Sequence, residues 1–275
     1  MLKNVFIIAS LLFTSLWTFA QTDTIFTNAE KIACSVKEVS QDAIKFVYPG
    51  EEMINTVYKN TVQKIVFKSG RAQTFAEATN FKTVKGAEDY ENVSLTSVQN
   101  EVNGLFKLGD VSAKAKGTTT LASMEKVKER AYKKLKIVAA MMGANIIYLT
   151  QNTTTGNQQG SKYQAGNSTE TNLAGVAYSN QLPSYETFNN LIGTRSQFEC
   201  VEIFKMSQRE PDMDQKDVKK SVHISKMYNE SGLIMVDADI NGVNFSTFRV
   251  IQFYPNEFTL MYKDGERIFN YIVRL

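Results

Sequence analysis

His223 is the only histidine in the sequence, and it is the one side chain type that ordinarily titrates near neutral pH. It lies in a strand-like setting between Val222 and Ile224, and no serine or cysteine nucleophile motif surrounds it. We therefore interpret His223 as a surface or interface residue rather than a general base. The sequence also contains no GxxxxGK[ST] or GxGxxG motif, so no phosphate-binding loop is predicted.

Cys34 and Cys200 are the only two cysteines, and both occur within strand-like patterns. In an oxidising compartment they could form a disulfide that joins the first region of the chain to the second. The alternative is two separate buried thiols, which behave as small hydrophobic side chains. A structural zinc site needs three or four His, Cys or carboxylate ligands, so we predict neither a metal nor a cofactor.

Asp237 and Asp239 are two residues apart on a predicted strand, which places both carboxylates on one face. Such a pair can bind a hard cation or shift each other's pKa. The other interpretation is the solvated face of an amphipathic strand, and we favour it because solvation is the ordinary fate of charges at such positions. Calcium would also need several oxygen ligands from a compact loop, and Asp239-Ile240-Asn241-Gly242 lacks the rest of such a motif.

The first twenty residues have the three parts of an export signal. Lys3 provides the positive start, Val5 to Trp17 the apolar segment, and Thr18-Phe19-Ala20 a cleavage site. The apolar segment is shorter than the ~20 residues of a spanning helix, which argues against an uncleaved anchor. We expect cleavage near Ala20, a chain without a membrane span, and a location in the periplasm or outside the cell.

The net charge does not favour a nucleic-acid partner. Lys and Arg number 31 against 28 Asp and Glu, so the net charge is +3, and removing Lys3 lowers it to +2. The sequence predicts an α+β, β-rich protein of several domains. We assign a signal peptide to 1–20, a small β-barrel-like domain to 21–75, a linker to 76–92, an α+β sandwich to 93–206, a charged hinge to 207–220 and an antiparallel β-meander to 221–275.

The middle region contains the clearest helix of the chain. Apolar residues recur at steps of three and four between Leu121 and Met142, with Thr120 as the expected N-cap and Gly143 as the expected C-terminal stop. A buried strand follows, and then a polar segment, Thr153 to Thr171, predicts a long exposed loop. Aromatic residues in or near this loop are candidate interaction residues: Tyr163, Tyr178, Tyr185 and Phe188.

Two tight turns predict the hairpins of the C-terminal meander. Asn241-Gly242 is expected to join 233–240 to 243–250, and Asp264-Gly265 to join 258–262 to 267–275. A meander with one apolar face does not fold alone, so we expect it to pack on the middle region or on a partner.

Two stretches resemble known families. The layout DTIFTNAEKIACSVKEVS…AIKFVY…VQKIVFKSG looks like the small β-domain of uncharacterised exported Bacteroidetes proteins. The helix end AAMMGAN, the strand Ile146 to Leu149 and the later LAGVAY resemble the YbjQ- and RcsF-type α+β fold. The resemblance implies an envelope location and says little about activity.

Three functions are consistent with these patterns. The first is a non-enzymatic module that binds another envelope protein or contributes to assembly. The polar loop and the aromatic residues near it support this function. The second is a small-ligand carrier with a site under the meander, where five phenylalanines are available as lining: Phe245, Phe248, Phe253, Phe258 and Phe269. The third is a hydrolase with a carboxylate pair assembled across domains.

Overall fold

The computed structural model describes residues 22–27, 30–75, 81–119, 122–156, 166–207, 210 and 212–275. The described chain is β-rich and falls into two compact units, Met1–Ala78 and Thr79–Leu275. The strands of the first unit are β1 (Asp23–Thr27), β2 (Lys31–Val39), β3 (Ala43–Val47), β4 (Asn55–Tyr58), β5 (Val62–Val66) and β6 (Ala72–Thr74).

The second unit contains ten strands and two α-helices among its described residues. They are β7 (Ser94–Thr96), β8 (Phe106–Lys116), α1 (Met124–Met141), β9 (Ile146–Thr155), β10 (Glu170–Ser179), α2 (Tyr185–Ile192), β11 (Gln197–Ser207), β12 (Asp214–Glu230), β13 (Leu233–Ile240), β14 (Thr247–Tyr254), β15 (Glu257–Asp264) and β16 (Arg267–Arg274).

The first unit is a six-stranded antiparallel sheet with the order β4-β3-β2-β1-β5-β6. Alternate apolar residues such as Ile25, Ile44 and Ile65 are fully buried and form its core. The order leaves β4 and β6 at the two ends, so the barrel-like closure predicted for this region is not confirmed.

The second unit contains a four-stranded sheet with the order β7-β9-β10-β8 and α1 on one face. The stripe of apolar residues predicted for this helix is confirmed, and Val127, Ala131 and Leu135 are fully buried. The N-cap is Ser123, whose hydroxyl accepts a hydrogen bond from the Lys126 amide, and not Thr120. The helix stops at the predicted Gly143, which has a φ of +76°.

Six strands, β11 to β16, form a closed antiparallel barrel. Chain neighbours pair in order, and β11 closes the barrel by pairing with β16. The predicted C-terminal meander is therefore confirmed, with one strand added at its start. From the sequence we placed β11 in the middle region. Its partner strand β16 lies some 70 residues further along the chain, so no local pattern indicates that the two strands pair.

The outer wall of the barrel packs against α1, as expected for a meander that cannot fold alone. Met206, Ile251 and Ile268 belong to the same buried cluster as the apolar stripe of the helix. Two barrel side chains also bind the end of α1: Asn270 Nδ2 donates to the Met141 carbonyl at 2.9 Å, and Arg249 Nη2 to the Met142 carbonyl at 2.6 Å. A cation at this position complements the negative end of the helix dipole.

The structure departs from the predicted boundaries at two places. The charged segment 207–220 contains the first part of β12, whose Lys and Asp side chains face solvent while Val222 and Ile224 face the barrel interior. The linker 76–92 contains a 3-10 helix, Ala87–Asn92, and Ala87 belongs to the core around α1. Both segments look polar because only one side of each is buried.

Candidate functional site

The predicted interaction loop is only partly a loop. Strands β9 and β10 continue their ladder up to the pair Thr155 and Glu170, so 153–155 and 170–171 are strand residues. Three consecutive β-branched threonines, Thr153 to Thr155, favour this extended pairing over an irregular loop. Tyr163 lies outside the described residues.

Tyr178 lies on β10 and faces away from α1. The alternate residues Leu173 and Ala177 pack in the core around the helix, whereas Val176 and Tyr178 are half-buried on the opposite, outer face of the sheet. Tyr148 on β9 stands directly opposite Val176 and is also half-buried. We name these three residues, Tyr148, Val176 and Tyr178, the outer-face row.

Tyr185 and Phe188 do not belong to this surface. Both lie on α2, which packs against the barrel core, and Phe188 is fully buried against Phe253 and Phe258 with ring centroids 5.2 and 5.4 Å apart. The Tyr185 hydroxyl donates to the Met227 carbonyl at 3.3 Å. The aromatic residues singled out in the sequence are thus divided between a sheet face and a core.

The barrel interior is packed with side chains. Phe248 and Phe258 are fully buried, and Phe245 stacks on Tyr262 with ring centroids 3.7 Å apart. Phe253 and Phe269 pack against the same cluster. The five phenylalanines proposed as a ligand lining contact one another and their neighbours, as in an ordinary core.

Both cysteines are free, fully buried thiols. Cys34 lies in the core of the first unit and Cys200 in the barrel core. Burial raises the pKa of each thiol from 9.0 to about 11. A buried, protonated thiol is a poor nucleophile, so neither cysteine has the environment of a reactive site.

His223 and Asp239 are cross-strand neighbours on the outer wall of the barrel, a relation that the sequence did not indicate. Both are exposed, and His223 Nδ1 lies 2.9 Å from Gln197 Nε2. Asp237, on the same strand, accepts a hydrogen bond from the Thr247 hydroxyl at 2.9 Å. The carboxylates belong to a solvated strand face, in agreement with the interpretation we favoured.

Among the described residues, no group of three or more His, Cys, Asp or Glu side chains is arranged to hold a metal.

Of the open clefts lined by described residues of the second unit, two border the barrel. One, of about 310 Å³, lies between the 3-10 helix Ala87–Asn92 and the barrel wall, where Glu202, Glu257 and Thr259 line it. The other, of about 510 Å³, lies between β8, β10 and the turn joining β15 to β16. Val176 of the outer-face row lines this second cleft, so the row continues into a concavity.

The outer edge of β8 is covered by cationic side chains. The strand is at one end of its sheet, where alternate main-chain carbonyls have no strand partner. Four such carbonyls accept hydrogen bonds from side chains: Leu108 from Arg249 at 3.3 Å, Asp110 from Lys263 at 2.7 Å, Lys114 from Lys134 at 3.2 Å and Lys116 from Arg130 at 3.1 Å. We call this the covered edge. Its donors come from both α1 and the barrel. No local sequence pattern predicts that these side chains meet at one strand edge.

No helix within the described ranges is long and apolar enough to cross a membrane. The chain matches no family model, no curated protein and no solved structure.

Proposed function

We propose that this chain is an exported, non-enzymatic envelope protein that binds another envelope protein or contributes to its assembly. The observation that supports the proposal is the outer-face row, Tyr148, Val176 and Tyr178, which is half-buried on a sheet face that α1 does not cover and borders an open cleft. Tyrosine is enriched at the centre of protein interfaces because its ring packs while its hydroxyl stays hydrated.

The packed barrel core favours this function over a ligand carrier. A carrier of this size needs an enclosed apolar cavity, commonly of at least ~300 Å³, and its lining must be free to contact the ligand. The phenylalanines that were candidates for such a lining fill the interior instead. The export signal in residues 1–20 and the family resemblance support the exported location.

Crosslinking in the native envelope, followed by mass spectrometry, tests the proposal. We expect a reproducible partner protein that disappears in the double variant Tyr148→Ser/Tyr178→Ser. The matched control is Tyr228→Ser, which removes a half-exposed tyrosine from the outer wall of the barrel and should leave the partner in place. A partner that survives the double variant, or the absence of any heterologous partner, contradicts the proposal.

A further inference from the structure

The exposed large apolar side chains among the described residues of the first unit lie along the β3–β4 hairpin. Met53 is 71% exposed and its neighbour Ile54 is 62% exposed, and Tyr48 and Tyr58 are exposed at opposite ends of the hairpin. Large apolar side chains that cluster on a surface mark interaction sites more often than isolated ones do. These residues border strand β4, which is an end strand of its sheet.

The outer edge of β4 has no strand partner within the described chain, since β4 pairs only with β3. Its residues Asn55 to Tyr58 carry no charge and no proline, and Met53-Ile54 extends the same uncharged run. Lysine, proline and bulges are the features that usually prevent an edge from pairing with another chain, and 53–58 has none of these residues. We call segment 53–58 the open edge.

We propose that the open edge pairs with the open edge of a second copy of this chain, antiparallel and across a two-fold axis at Thr56. In this register, Thr56 faces Thr56 and Ile54 faces Tyr58 of the second copy. Thr–Thr and aromatic–β-branched pairs are favourable across antiparallel strands. Three of the four exposed side chains of the open edge, Ile54, Thr56 and Tyr58, alternate along the strand and so lie on one face, whereas Met53 lies on the other.

Charge complementarity selects the second copy and the antiparallel direction. Glu51 and Glu52 precede the open edge, and Lys59 follows it. Antiparallel self-pairing brings the acidic end of each strand beside the basic end of the other, whereas parallel self-pairing brings like charges together. One shared strand pair is smaller than a standard interface of ~1,600 Å², so the dimer is weak, with a dissociation constant above about 1 µM.

Sedimentation velocity of the purified exported form across a concentration series tests the proposal. The unmodified chain should shift from monomer to dimer, and Thr56→Lys should remain monomeric because two like charges meet at the axis. Thr74→Lys is the matched control: Thr74 is an exposed threonine on β6, the other end of the same sheet, and this variant should still dimerise.

Mixing Thr56→Lys with Thr56→Glu gives the decisive readout. Neither variant should dimerise alone, and the mixture should restore dimers because opposite charges then face each other at the axis. Oxidised Thr56→Cys should also form a disulfide-linked dimer, since directly opposite residues in antiparallel strands lie ~4.5–5.5 Å apart. A monomer at all concentrations, or a dimer that Thr56→Lys leaves intact, overturns the proposal. Neither outcome touches the outer-face row, which lies in the other unit.

Discussion

Each unit contains a sheet with an end strand, β4 in the first unit and β8 in the second. The two strand edges differ in the side chains that bind their main-chain carbonyls. The covered edge of β8 has four carbonyls bound by Arg and Lys side chains from α1 and the barrel. On the open edge of β4, the Met53 carbonyl accepts from the Asn55 side-chain amide at 3.1 Å and the Tyr58 carbonyl from the Thr61 hydroxyl at 2.7 Å, so its donors are local. No Arg or Lys side chain donates to this edge among the described contacts, and Met53 and Ile54 within it are exposed. An edge that is protected by fold-spanning contacts contributes to stability, whereas an unprotected edge is available for association.

The difference also bears on how mutations should act. Donors on the covered edge reach it from distant parts of the sequence, so their loss affects the packing of the sheet, helix and barrel together. The open edge contributes little to the core of its own unit, so changes there should alter association and leave folding intact. The following predictions test this division, beginning with the largest expected effect.

Arg249→Ala should cause the largest loss of stability. The Arg249 side chain is 7% exposed, donates to the Leu108 and Met142 carbonyls, and burial lowers its pKa to about 10. Removing it takes the donor from the buried Met142 carbonyl and from the half-buried Leu108 carbonyl and leaves a cavity, with an expected cost of about 3 kcal/mol in the free energy of unfolding. Urea denaturation measures this cost. Arg274→Ala, an exposed change on the same barrel, is the control and should stay within about 0.5 kcal/mol.

Lys134→Met should cost about 1 kcal/mol in the free energy of unfolding, because it removes one donor from the covered edge and keeps the buried alkyl volume. Lys134 is 6% exposed and donates to the Lys114 carbonyl at 3.2 Å. Lys128→Met on the exposed side of the same helix should be near neutral. If the two variants unfold at the same urea concentration, the Lys134 contact does not stabilise the edge.

The cores of the two units should respond alike to alkaline pH. The thiol pKa of Cys34 and of Cys200 is raised by burial from 9.0 to about 11. The folded state therefore keeps both protons between pH 9 and 11 while the unfolded chain loses them, so stability is full below pH 9 and falls as the pH rises to 11. Thermal unfolding at pH 8 and pH 10 should show this loss, and Cys34→Ala/Cys200→Ala should reduce it.

Thiol titration distinguishes two free thiols from a Cys34–Cys200 disulfide, the two alternatives that the sequence left open. We expect no reaction with a thiol reagent in the native protein and two reactive thiols after unfolding. A chain that shows no thiol after unfolding without a reductant contains the disulfide instead.

Ile54→Lys should have the smallest effect on stability and a clear effect on association. Ile54 is 62% exposed, so the substitution should change the free energy of unfolding by less than about 0.5 kcal/mol. It gives the open edge a lysine like those of the covered edge and should weaken the concentration-dependent dimer. Val98→Lys, at a side chain that is 52% exposed in the other unit, should leave the dimer unchanged.

Local sequence patterns predicted the helices and hairpins whose contacts are made between residues close together in the sequence. The apolar stripe between Leu121 and Met142 located α1, and Asp264-Gly265 located the β15–β16 hairpin, whose turn residues are Gly265 and Glu266. The second expected turn, Asn241-Gly242, is present: the Val243 amide donates to the Ile240 carbonyl at 2.9 Å, and Gly242 has a φ of +73°. It does not join the two strands directly, since β14 begins only at Thr247 and Asp237 pairs with Thr247. The amide of Ala238 instead donates to the Ser246 carbonyl, which closes a longer loop.

Contacts between distant residues could not be predicted in this way. Closure of the barrel by β11 and β16, and the convergence of Arg130 and Arg249 on one strand edge, depend on how whole elements pack. Long strands with solvent-facing charge, such as β12, also resemble linkers when only composition is considered. The sequence did not distinguish core aromatics from surface aromatics. The structure buries Phe188 in the barrel core and leaves Tyr178 half-buried on a sheet face.

Hydrogen exchange of the exported form at low and high protein concentration tests the contrast between the two edges most directly. We expect the amides of 53–58 to exchange more slowly at high concentration, because strand pairing with a second copy protects them, and the amides of β8 to exchange equally at both. Exchange at 53–58 that does not depend on concentration, or protection that appears at β8 instead, would contradict the assignment of an open and a covered edge.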